Sequence, residues 1–133
     1  MTLAELSKLY RIKCRAEECE RRLAKLHLQR RGVQSPLFDG TPKNKSTSSR
    51  VEKLALEIVE VESALLDLRC RYFEERLRLE RYIATIPDSR LRLIFTARFV
   101  EGLTWEKVAR YVGGNTTEYG ARMLCYRYIR GQE

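Results

Sequence analysis

Residues 51–87, VEKLALEIVEVESALLDLRCRYFEERLRLERYIATIP, contain no glycine, and no proline before Pro87. Val51, Leu54, Ile58, Val61, Leu65, Leu68, Tyr72, Leu79, Tyr82 and Ile86 recur in alternating steps of three and four. With 3.6 residues to a turn, that spacing draws one apolar stripe along a helix. Glu75 alone occupies a stripe position without being apolar. About five heptads is coiled-coil length, roughly 50 Å at 1.5 Å per residue, so the stripe requires helical partners. Ser49 followed by Glu52 fits a capping box and predicts the helix start, while Pro87 predicts its end.

Upstream, Leu3 to Arg31 is free of glycine and proline, and Leu9, Ile12, Ala16, Cys19, Leu23 and Leu26 repeat the same steps. Gly32 stands where a helix stop belongs. Residues 32–48, GVQSPLFDGTPKNKSTS, hold two prolines, two glycines and a cluster of Ser, Thr and Asn, which predicts a loop. Leu37 and Phe38 within it could dock on the hairpin or on a partner. Residues 1–86 therefore read as a long antiparallel helical hairpin, coiled-coil-like, in an all-α chain. The second helix is longer than the first, so its end near Tyr72 to Ile86 must pack on the C-terminal segment, on a second copy, or on both. That surplus stripe predicts a homodimer or higher homo-oligomer.

Downstream, residues 87–133 predict a second, three-helix unit. Asp88 or Ser89 can cap a first helix over about 89–101, ended at Glu101-Gly102. Thr104 can cap a second over 105–112, closed by Gly113-Gly114, and Asn115, Thr116 or Thr117 a third, to about Ile129. A two-turn helix, a glycine turn and a longer helix carrying Arg122, Arg127 and Arg130 form a helix-turn-helix pattern. Leu103, Val108, Ala109 and Val112 are expected inside, as are Ala121, Leu124, Cys125 and Tyr128. Glu118, Tyr119, Arg122, Met123 and Tyr126 are left outward, near the end of a helix that could enter a major groove. Free amides at that helix start, with the Thr116 and Thr117 hydroxyls, suit a phosphate. The candidate double-stranded DNA contacts are Asn115, Thr116, Thr117, Glu118, Tyr119, Arg122, Met123, Tyr126, Arg127 and Arg130. With a cap at Thr116, Arg122 falls outward in the second turn, within reach of a guanine, and Arg127 further on at the backbone. Trp105 reads as an inter-helix anchor.

Asp88 to Arg130 resembles region 4 of sigma-70-type transcription factors through Trp105, Glu106, Lys107, Val108, Ala109, Gly113 and Arg122. Together with the hairpin, the chain is similar to short phage regulators of the RinA and ArpU type. The resemblance implies a helix-turn-helix regulator that reads duplex DNA and can meet RNA polymerase. Two features depart from sigma factors: the turn GGNTT is about two residues longer, and no aromatic promoter-melting region is present.

Composition agrees with a binding protein. The chain of 133 residues has a net charge of +8. Residues 1–50 carry 12 basic and 5 acidic side chains, residues 51–85 carry 6 and 8, and residues 86–133 carry 8 and 5. A basic balance attracts nucleic acid or anionic membrane, but no apolar run approaches the roughly 18 residues of a span and no signal-peptide core opens the chain, so a cytoplasmic location is expected. Cys14, Cys19, Cys70 and Cys125 form no C-x-x-C pair, and His27 is the one histidine. No metal site, cofactor or catalytic pair is expected. Two rivals share these features: a small-terminase-like DNA-recognition subunit of a packaging machine, and a helical adaptor or inhibitor acting through the hairpin.

Overall fold

A computed structural model of the chain describes residues 1–34 and 45–132. It is all-α. Helix α1 spans Leu3–Leu6, α2 Lys8–Gln34, α3 Lys45–Ala84, α4 Ser89–Phe95, α5 Trp105–Val112 and α6 Glu118–Gln132, with a π-helical turn at Thr96–Val100 between α4 and α5. The long helices α2 and α3 pack antiparallel.

Two boundaries differ from the sequence reading, and the single helix expected from Leu3 is divided at Ser7. The first helix begins with a capping box that the apolar pattern did not flag: Glu5 N–H donates to Thr2 Oγ1 (3.3 Å) and Thr2 N–H donates back to Glu5 Oε2 (2.8 Å). That backbone donor is the main cause holding the Glu5 carboxyl below its ordinary range. Gly32 does not stop α2, which runs on to Gln34, because glycine in a helix interior costs only about 1 kcal/mol relative to alanine. Ser49 is not a cap either, since α3 is already formed at Lys45. Of the expected loop 32–48, residues 35–44, with Leu37 and Phe38, lie outside the described residues.

The other ends follow their chemistry. Beyond Ala84 the chain tightens, Thr85 N–H to Tyr82 O and Ile86 N–H to Ile83 O, both 3.0 Å. Arg92 Nη1 then donates to the carbonyls of Ile86 (2.7 Å) and Pro87 (3.2 Å). Asp88 caps α4 by accepting from Arg90 N–H (2.9 Å). The π-helical turn ends at Glu101, and Gly102 follows at φ +69°, where Leu103 N–H reaches back to Ala97 O (3.0 Å).

The chain divides into two compact units. Residues 14–70 form one. Leu26, Ile58 and Val61 are its buried core, with Cys19, Leu23 and Leu54 packed on them. His27 faces Glu62 (3.9 Å) and Arg69 faces Glu20 (3.3 Å) across the helix pair.

The other unit joins residues 1–13 to residues 71–133, so the Pro87 break lies inside it. Its core holds Leu6 and Leu9, then Leu79, Ile83 and Ile86, then Leu91, Ile94, Phe95, Ala97, Phe99 and Val100, and finally Trp105, Val108, Ala121, Cys125 and Ile129. Phe95 is its centre, with ring contacts to Tyr82, Phe99 and Tyr128 at 6.5, 5.3 and 5.7 Å. Glu75, the stripe's exception, is nearly covered and meets Lys8 Nζ (3.6 Å) and Arg78 Nη1 (3.4 Å). A carboxylate is tolerated there because two cations face it. The stripe residues Leu79 and Ile86 are buried in this core, so that part of the repeat, the basis of the expected self-association, is covered by the chain's own residues.

Candidate nucleic-acid interface

Helices α5 and α6 pack on each other and on α4, with residues 113–117 between them. Thr104 opens α5, its Oγ1 accepting from Lys107 N–H (3.4 Å). Arg98, from the π-helical turn, steadies this corner in two ways. Its Nη1 donates to Leu103 O (2.9 Å), and its guanidinium lies over the Trp105 ring, 4.7 Å from the centroid. Trp105 also meets Tyr126 of α6 edge-on at 6.0 Å, so it serves as the inter-helix anchor expected of it.

The turn depends on backbone that only glycine adopts easily. Gly113 sits at φ +75°, ψ −168°, a region that other residues enter at a cost of order 1–3 kcal/mol, and Gly114 follows at φ +64°. Among the three candidate caps, Thr117 closes α6, its Oγ1 accepting from Gly120 N–H (3.0 Å). Thr116 is used differently: its Oγ1 accepts from Arg90 Nη2 of α4 (2.9 Å). That contact pins the turn and brings Arg90 beside the start of α6. Sequence reasoning missed Arg90, because it lies 26 residues from its partner and no spacing rule connects the two.

The apolar row fixes which side of α6 is covered. Ala121, Cys125 and Ile129 are buried, and Leu124 and Tyr128 are partly covered against the core. Burial pushes the Cys125 thiol up to about 12, with the Arg98 charge pulling the other way. Burial likewise raises Tyr82, helped by the nearby Tyr128 and Cys125. The Tyr82 hydroxyl is buried and has no hydrogen-bond partner among the described residues. At 100° per residue, Tyr119, Met123, Arg127 and Arg130 point away from the buried row. Tyr119 is 67% exposed, Arg127 and Arg130 are exposed, and Met123 is partly covered. Glu118, Arg122 and Tyr126 form the neighbouring ridge, on the side where Tyr126 touches Trp105. Arg122 is thus half-covered on a flank, and the outward second-turn position expected of it with a Thr116 cap goes to Met123. Asn115 is exposed in the turn, Thr116 half-covered and Thr117 exposed.

Six basic side chains lie on α4, α5 and α6 around this turn: Arg90, Lys107, Arg110, Arg122, Arg127 and Arg130. Arg110 is held by Glu106 (2.7 Å). Among the described residues, Arg122, Arg127 and Arg130 form no ion pair. Also among the described residues, no three of His, Cys, Asp and Glu gather as metal ligands would, and no helix is long and apolar enough to cross a membrane.

In comparisons with known proteins, no family model matches the chain, and neither a curated protein nor a solved structure matches it.

Proposed function

We propose that the protein binds duplex DNA sequence-specifically, with α6 in the major groove, and acts as a transcriptional regulator of the kind its likeness to sigma region 4 implies. One observation carries this reading. Helix α6 is locked on one side by Ala121, Cys125 and Ile129, while on the other Tyr119, Arg127 and Arg130 stand exposed and Met123 half-covered. A two-helix corner with an apolar underside and a basic, aromatic outer ridge is the shape that places a helix against base edges.

Roles follow from depth along α6. Tyr119 and Met123 lie in its first two turns and meet base edges and thymine methyls. Arg127 and Arg130 lie further on and meet backbone phosphates, as do Arg90 and Lys107 beside the helix starts. Arg122, on the flank, reaches the groove wall. Tyr119→Ala and Met123→Ala should each change the preferred sequence recovered by selection from random duplexes, with random-DNA affinity unchanged. Duplex binding undetectable at about 50 mM salt would end the DNA reading, since phosphate contacts are strongest there.

A further inference from the structure

The outward face of α6 is chemically uneven. Arg127 and Arg130 stand exposed on it in the later turns, without an ion pair among the described residues. At the helix start, the Thr116 hydroxyl holds Arg90 of α4 (2.9 Å). Between these cations the face is neutral: Tyr119 is 67% exposed, Met123 is half-covered, and Gly120 beside them has no side chain. From Glu118 to Arg127 the helix advances about 14 Å, comparable with the roughly 12 Å width of a major groove.

The nearby groups that read bases by hydrogen bonding are committed elsewhere. Thr117 Oγ1 accepts from Gly120 N–H (3.0 Å) and caps the helix, and Thr116 Oγ1 is taken by Arg90. Glu118 lines a hollow with Glu106, Ala109 and Arg110 of α5, and Arg122 is half-covered on the flank. A base edge opposite Tyr119 and Met123 therefore meets a ring and a thioether, not the bidentate Arg, Asn or Gln that reads guanine or adenine. Such a surface distinguishes methyl groups, because the C5 methyl of thymine is the apolar feature that the major groove displays.

We propose, on the duplex-binding reading above, that α6 recognises DNA through the C5 methyl groups of pyrimidines, so that 5-methylcytosine is accepted in place of thymine opposite Tyr119 and Met123. The test alters the DNA and leaves the protein intact. In a duplex selected from random sequence, thymines are replaced one at a time by uracil, which removes only the methyl. Burying a methyl is worth about fourfold in affinity, so one or two positions should lose about fourfold and the others nothing. Changing the T·A pair at a sensitive position to C·G should lower affinity at least as much, and methylating that cytosine at C5 should recover about fourfold. Tyr119→Ala/Met123→Ala should bind the thymine and uracil duplexes alike, with the salt slope of wild type, whereas Tyr119→Phe should keep the difference. A selected site lacking thymine, binding indifferent to every uracil, or a uracil loss that 5-methylcytosine does not recover would overturn the proposal and leave the DNA reading standing. So would sensitivity confined to 7-deazaadenine, which lacks the N7 acceptor and would give base recognition to the Asn115 amide, exposed in the turn. No binding to any duplex at about 50 mM salt would end the DNA reading and this proposal with it.

Discussion

Arg127→Ala is the substitution whose outcome the geometry constrains most. The side chain lies ten positions into α6, exposed, on the face opposite Ala121, Cys125 and Ile129, and forms no ion pair among the described residues. In duplex binding each neutralised phosphate contributes about 0.9 to the slope of log K against log salt. Six basic side chains around the turn therefore imply a slope of roughly −5. Removing Arg127 should bring it to roughly −4. Extrapolated from 1 M, one contact is worth about eightfold in affinity at 0.1 M salt and about fourfold at 0.2 M. The loss should be equal for a selected site and for random duplex, because a phosphate contact carries no sequence information. Arg122→Ala, on the half-covered flank, should cost less on random DNA. Anisotropy titrations at four salt concentrations, on one selected and one scrambled duplex, read all of these quantities. If Arg127→Ala leaves the slope unchanged, or weakens only the selected site, then α6 does not lie along the groove as proposed.

Three further outcomes concern stability. Leu6→Ala removes a fully buried side chain and should cost about 2–5 kcal/mol in urea unfolding of the full chain, with the m-value unchanged; a loss under about 1 kcal/mol would mean that residues 1–13 do not belong to that core. Gly113→Ala must enter a strained backbone region and should cost roughly 1–3 kcal/mol, weakening duplex binding through a displaced α6; an unchanged melting temperature would contradict the turn geometry. Cys125 is raised from an ordinary value of 9.0 to about 12, so the folded chain keeps a proton that the unfolded chain releases. Its contribution is fully present below about pH 9 and falls as pH rises from 9 towards 12, Tyr82 acting in the same direction. Cys125→Ala should make that alkaline decline shallower, and an unaltered decline would show that other groups cause it.

Helix identity was legible in the sequence where period and length agreed, and boundaries were legible only where one residue controlled them. Thr104 and Pro87 are such residues. The capping-box signal shows the limit of local reading. Thr2 with Glu5 and Ser49 with Glu52 are the same pattern, yet only the first caps a helix. The residues before Ser49, from Lys45, already continue the helix, so Ser49 meets no free helix start there. Glu75 was legible as an exception but not its cause, since Lys8 is 67 residues away. The docking of Leu6 and Leu9 on Leu79, Ile83 and Ile86 followed from hairpin logic only up to the statement that the longer helix needs something more to cover it.

The candidate interface was legible to within one residue of register, and that residue matters. The repeat Ala121, Cys125, Ile129 places the buried side of α6, but its start hangs on whether Thr116 or Thr117 supplies the cap, and both are threonines. Arg90 takes the Thr116 hydroxyl and leaves Thr117 to cap, while the buried row itself turns Arg122 to the flank and Met123 away from the core. An outer apolar row on α3 was passed over for a related reason. A helix with two apolar rows roughly 150° apart shows the longer row first, and Leu56, Val59 and Leu66 then look like scattered surface residues. Exposure separates the rows: Ile58, Val61 and Leu65 are buried, whereas Leu56, Val59 and Leu66 are more than 60% exposed.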